Sequence, residues 1–125
     1  MQAMFRPTIF AAALLVAGLI GTASPPAAEI EQVFKFYCAQ CHGPGGKGDG
    51  PNVTKDFPVS PRNFTNAAEM NKLTDADIKN VILDGGPVAS KSPMMPPWGK
   101  TLTEVQVDAL VKHLRKLCQC KGKEG

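Results

Sequence analysis

The stretch "FYCAQCHGPGG" constrains this chain more than any other part of it. Cys38 and Cys41 stand three positions apart, and His42 follows directly. At the end of a helix, residues three apart lie on neighbouring positions of one face, so both thiols point the same way. Such a cluster has few uses: a disulfide, part of a metal clip, a redox dithiol, or the anchor of a covalently held cofactor.

The start of the chain bears on that choice. "MQAMFRPTIFAAALLVAGLIGTASPPAAEI" sets one positive residue, Arg6, before an apolar run of 13 residues from Thr8 to Ile20, and small residues follow. This is the order of a secretory signal, and the run is shorter than the ~20 residues of a spanning helix. Residues 1–23 are therefore read as a leader, cleaved near Ala23 with sites up to Ala28 open. The expected location is the periplasm, and an uncleaved membrane anchor is the alternative reading.

About 100 residues remain for the fold, enough for one small domain, assigned to residues 24–117. Gly and Pro crowd the stretch from Gly43 to Pro97. A loop-rich domain of this size needs a staple: disulfides, a metal or a large buried cofactor. Without Arg6, 13 basic residues face 11 acidic ones, a formal charge of +2. That balance, with no aromatic-basic stripe, excludes a nucleic-acid partner.

Periodicity predicts three helices and no strand. In "EIEQVFKFYC", Ile30, Val33, Phe34 and Tyr37 make one apolar face. In "LTDADIKNVILDGG", Thr74 is the N-cap, Asp75 and Asp77 suit the helix dipole, Gly85 stops the helix, and Ile78, Val81 and Ile82 point inward. In "TLTEVQVDALVKHLRKLC", Thr103 and Gln106 have capping-box spacing. Val107, Leu110, Leu114 and Leu117 form its stripe, with Lys112, Arg115, Lys116 and Lys121 towards the cation-favouring end. The two long segments between these helices show no regular period, and their Pro and Gly spacing forbids one.

Against this background the motif reads as a c-type haem attachment site. Cys38 and Cys41 would form two thioether bonds, and His42 would direct Nε2 at the iron. A thioredoxin-type pair expects a βαβ context that the pattern lacks. Zinc wants four ligands, and no second Cys/His pair stands at the required spacing. A sixth, soft donor has to come from a distant loop. Met70, Met94 and Met95 are the candidates, and "SPMMPPWG", stiffened by prolines, is the better place.

These residues resemble the class I monohaem cytochrome c family, over nearly the whole of Ile30–Leu117. Four pieces carry the likeness: "VFKFYCAQCHG", the "GPN" of "GDGPNVT", "MPPWG", and "ALVKHLRKL" in the last helix. The resemblance implies an all-α cytochrome c fold of three to four short helices, with long loops wrapped around one haem. It assigns the iron to His42 and Met95, with Met94 as the alternative. It also implies that the Pro51 carbonyl accepts from His42 Nδ1–H, and it places Arg62 and Trp98 near the haem propionates.

The chain departs from the family pattern in two facing positions. Ile30 stands where a glycine is common, and His113 replaces an aromatic; the bulkier Ile30 against the less bulky His113 can preserve the volume of the pair, and a different crossing of the terminal helices is the other reading. "LCQCKGKEG", read as a basic tail over residues 118–125, sets Cys118 and Cys120 one residue apart. That is not haem spacing. An intermolecular link, a soft-metal site and a local bridge remain open.

What the resemblance implies is a one-electron carrier, not an enzyme, acting as a monomer. Its partners would be a redox donor and acceptor, such as a membrane-bound oxidase or dehydrogenase. Lys35, Lys47, Lys91 and Lys100 would guide an acidic partner to the haem edge. The alternatives are a haem subunit of a larger oxidoreductase complex, and an enzyme or gas sensor in which the methionine is displaced.

Overall fold

The computed structural model describes residues 23–124. Of the leader read over residues 1–23, all but Ala23 lies outside the described residues. Among the described residues no helix is long and apolar enough to cross a membrane.

The chain enters its first helix, α1 (Ala27–Val33), behind Pro26 at the N-cap. Proline suits a helix start because its missing N–H would have no partner there. The path continues through a π-helical turn (Phe34–Cys38) into α2 (Ala39–His42). The expected helix is thus present, extended at both ends and widened in the middle. Ile30 and Phe34 are buried, Val33 and Tyr37 are half-buried, and Phe36 is 72% exposed.

The four last carbonyls of a helix have no partner inside it, and in α2 the glycine-rich loop supplies all four. Gly43 N–H donates to Ala39 O (2.9 Å), Asn52 N–H to Gln40 O (2.9 Å), Gly50 N–H to Cys41 O (3.1 Å) and Gly48 N–H to His42 O (2.8 Å). Two glycines make this wrapping feasible. Gly43 turns the chain at φ 78°, in the left-handed region, where a side chain is strained. At Gly50 a Cβ would press on the Ala39 and Gln40 carbonyls.

One turn of helix that periodicity did not predict, α3 (Ala67–Met70), is capped by Asn66, whose side chain accepts from Glu69 N–H at 3.2 Å. It delivers Met70, which is 0% exposed. Helix α4 (Asp75–Asp84) starts at Thr74 as expected, and Asp77 does more than suit the dipole. It closes a capping box, its carboxylate accepting from Thr74 N–H at 2.8 Å. Gly85 ends the helix at φ 86°, and a 3-10 turn (Gly86–Ala89) follows.

Helix α5 (Glu104–Cys118) begins with the predicted capping box of Thr103 and Gln106. It packs on α1, α3 and α4. Val107, Leu110 and Leu114 are buried as expected, Val111 and Cys118 join them, and Leu117 is half-buried. Full burial of a side chain such as Leu110, Val107 or Met70 contributes roughly 1.5–3 kcal/mol. Among the described residues there is no strand, and the protein is all-α.

The facing pair of the terminal helices resolves simply. Ile30 is buried at 3% exposure in the α1–α5 contact, and the His113 ring rests 4.9 Å from Phe34. Arg115, expected only to favour the helix dipole, instead ties three segments together. It donates to Met70 O (2.8 Å), Leu73 O (2.7 Å) and Asp75 Oδ1 (2.8 Å).

Candidate cofactor site

A cavity of about 1310 Å³ opens between the α2 end, the 57–64 segment, α4 and the 86–98 loop. It exceeds the ~300–1,000 Å³ of ordinary small-molecule sites. Cys38, Cys41, His42, Arg62, Met94, Met95 and Trp98 all line it. The sequence candidates from three separate segments therefore meet at one place. Pro51 does not line the cavity.

The two thiols are free and half-buried, so the motif is not closed as a disulfide. Burial pushes the Cys38 thiol up to about 12, which keeps it protonated. Among the described residues, no group of three or more His, Cys, Asp or Glu side chains is placed to hold a metal ion.

His42 is fixed from two sides. Its ring stacks on Phe64, with centroids 4.4 Å apart and planes 24° from parallel. Its Nδ1 lies 3.1 Å from the Arg62 carbonyl. A carbonyl only accepts, so Nδ1 carries the proton and Nε2 keeps its lone pair. Burial lowers the His42 pKa; the Arg62 carbonyl acts against burial and the Arg62 charge acts with it. The neutral, ligating form is favoured.

This corrects one expectation. The acceptor for His42 is the Arg62 carbonyl and not that of Pro51, which is exposed. The reason lies in the pairing of the loop. Residues 48, 50 and 52 turn their N–H groups onto α2, while Pro51, with none to give, lies outside. The "SPRNF" segment then crosses His42, drawn in by Phe64 N–H donating to Gly46 O at 2.6 Å. The Arg62 side chain lines the cavity with its guanidinium 4.0 Å from Glu69.

On the opposite wall, the methionine loop is seated on the Gly85–Gly86 pair. Gly86 N–H donates to Met95 O at 3.0 Å, and a Cβ on Gly86 would strike the Ser92 carbonyl. Met95 is half-buried and Met94 is 50% exposed. Met70 also lines the cavity, from within the core. Trp98 is 5.1 Å from Tyr37, and its N–H donates to Ile82 O at 2.9 Å, which joins this wall to α4.

Sequence reasoning missed Phe64 and the Arg62 backbone. The available signal was an aromatic two residues beyond Arg62 in a segment singled out only for its charge. It also missed the cavity rim. Phe36, Val59, Val88 and Met94, at 72, 51, 56 and 50% exposure, all border the opening.

An all-α shell whose cavity gathers Cys-x-x-Cys-His and a methionine loop defines a c-type cytochrome domain. The family described as cytochrome c oxidase, cbb3-type, subunit III matches residues 25–114, and the chain belongs to that family. A search of curated proteins gives no match. Among solved structures, the chain is similar to one in the Kuenenia stuttgartiensis reducing HAO-like protein complex Kustc0457/Kustc0458. The identity is 35% and the TM-score 0.57, over 71% of this chain. This chain spans 41% of that one.

Proposed function

We propose that the protein is a one-electron carrier with one c-type haem, held by thioethers to Cys38 and Cys41 between axial ligands His42 and Met95. The observation that carries this is the convergence of all four residues on one large cavity. The haem supplies the one-electron couple.

The chain's own contribution is to hold donors still. Nδ1–H donation to the Arg62 carbonyl and stacking on Phe64 restrain the imidazole in both tautomer and tilt. Pro93, Pro96 and Pro97 stiffen the methionine segment, and Gly85–Gly86 let it lie close. Met95 is favoured over Met94 because it is the less exposed of the two. His42 and Met95 would hold the iron between them, which would suit transfer over catalysis and raise the potential relative to a pair of histidines. Arg62 and Trp98, which both line the cavity, would meet the propionates. The carrier acts as a monomer after export to the periplasm, between a donor and an acceptor protein.

A second reading is a haem subunit of a larger oxidoreductase. The exposed apolar rim led by Phe36 favours it, as does the likeness to a chain from a multi-protein complex.

Mass and absorbance of the exported protein test the first reading. One covalently bound haem and a ferric methionine band are expected, with no ready carbon monoxide binding by the ferrous form. A bare polypeptide, or unchanged covalent haem in Cys38→Ala and Cys41→Ala variants, overturns it. Gel filtration of the native extract separates a free carrier from a subunit.

A further inference from the structure

The cysteines outside the cavity have no part in holding a haem. Cys118 and Cys120 are joined as a disulfide, with Cα atoms 5.1 Å apart. We propose that this pair is a dithiol–disulfide exchange site, taking two electrons from the dithiol of a partner protein or peptide.

The backbone brings the two sulfurs together before any bond does. Helix α5 ends in a left-handed residue, Gln119, at φ 50° and ψ 40°. Cys120 N–H donates to Arg115 O and Gln119 N–H to Lys116 O, each at 3.2 Å. These are the 6→1 and 5→2 bonds of a Schellman closure, which folds the residue after the turn back over the last helical turn. The tail is fastened further by Gly122 N–H to Asn71 Oδ1 (3.0 Å) and Lys123 N–H to Leu73 O (3.1 Å). Neither contact needs the sulfur–sulfur bond, so the open dithiol stays prepared to close again.

The bond does little as a staple. Disulfide stabilisation grows with the length of the loop closed, and here the two cysteines are only two positions apart. The two sulfurs are also chemically unequal. Cys118 is buried at 5% exposure, whereas Cys120 is partly exposed. The Arg115 guanidinium lies 3.8 Å from Cys120 Sγ, and Lys121 and Lys123 are exposed on the same tail. Cationic surroundings favour a thiolate.

The exchange runs in two displacements. A partner thiolate attacks the accessible Cys120 Sγ. The Cys118–Cys120 bond breaks, and Cys118 leaves as a thiolate and takes up the proton the attacking thiol gave away. The partner's second thiol then attacks the partner sulfur of the mixed disulfide. It forms the partner's own disulfide and releases Cys120 as a thiolate beside Arg115. The partner loses two electrons and two protons; the cysteine pair gains both electrons and one proton, on Cys118, and the proton of the partner's second thiol passes to solvent.

The exported full-length protein is equilibrated with glutathione and glutathione disulfide at graded ratios, and free thiols are counted by alkylation and mass. Structural disulfides of exported proteins resist the glutathione pool. The expected result is reversible opening of Cys118–Cys120 within the graded range. A pair that stays closed throughout, or free thiols that glutathione disulfide cannot close, overturns the proposal. In single variants, Cys118→Ser should form its mixed disulfide with glutathione about tenfold faster than Cys120→Ser. Equal rates in the two variants overturn the assignment of Cys120 as the attacked sulfur. If either variant fails to fold, the unsubstituted protein's titration decides.

Discussion

One added methyl group at Gly50 should unseat the loop that caps the cofactor-bearing helix. An alanine Cβ there would lie 2.6 Å from the Ala39 carbonyl oxygen and 2.5 Å from the Gln40 carbonyl carbon. Non-bonded atoms prefer about 3.5 Å, so the loop would have to withdraw by roughly 1 Å. Both neighbouring bonds, Gly50 N–H to Cys41 O at 3.1 Å and Asn52 N–H to Gln40 O at 2.9 Å, break at that displacement. Each is worth about 1 kcal/mol, and the overpacking adds about 1–3 kcal/mol. The total is about 3–5 kcal/mol. At about 4–8 °C per kcal/mol for a domain of this size, Gly50→Ala should lower the melting temperature by about 12–40 °C. The control is Gly45→Ala, where a Cβ meets nothing within 4 Å. Thermal unfolding of the exported, haem-bearing variants is the assay, with covalent haem content measured alongside. A Gly50→Ala protein melting within a few degrees of the parent, or a Gly45→Ala protein equally damaged, would refute the capping argument.

Met95→Ala should lower the reduction potential and admit carbon monoxide to the ferrous protein, while Met94→Ala leaves both unchanged; the reverse pattern reassigns the ligand. Arg115→Ala strips charged donors from the partly buried Met70 and Leu73 carbonyls, a loss of about 3–6 kcal/mol. Arg115→Lys, without the forked geometry, should recover only part of it in chemical denaturation. Burial holds the His113 pKa below its ordinary value, opposed by Glu31 and assisted by Lys116. A depressed histidine pKa means the unfolded chain binds the proton first, so stability is lost as pH falls below about 6.5. His113→Phe should reduce that loss, and identical pH profiles for the two proteins would contradict it.

Much of the fold could be read directly from residues whose role is local. Thr74, Thr103 and Gln106 act within one turn of chain, and the α5 stripe needs only a period of 3.6. Cys38, Cys41 and His42 stand out by spacing alone, and the structure sets all three on the wall of one cavity. The remainder depends on contacts far apart in sequence. Arg115 carries a solvent-like signal and binds residues 40 to 45 positions away. The acceptor of His42 lies 20 residues on, in "SPRNF", whereas the resemblance points only to Pro51 in "GPN". Only the alternation of N–H groups along residues 48–52 decides between them. The one-turn helix α3 depends on a single Asn66 cap and is too short for any period to mark.

The widened turn at Phe34–Cys38 fixes how many residues can separate the apolar anchors from the reactive triplet. Each residue of an α-helix advances the face by about 100°. The π-helical turn already absorbs one extra residue, so adding a further position between Phe34 and Cys38 would swing both thiols and the imidazole by that angle while Ile30 stayed in the core. Insertions should therefore be purged from this span and tolerated around Lys55–Asp56, where the chain is exposed and bonds to no helix end.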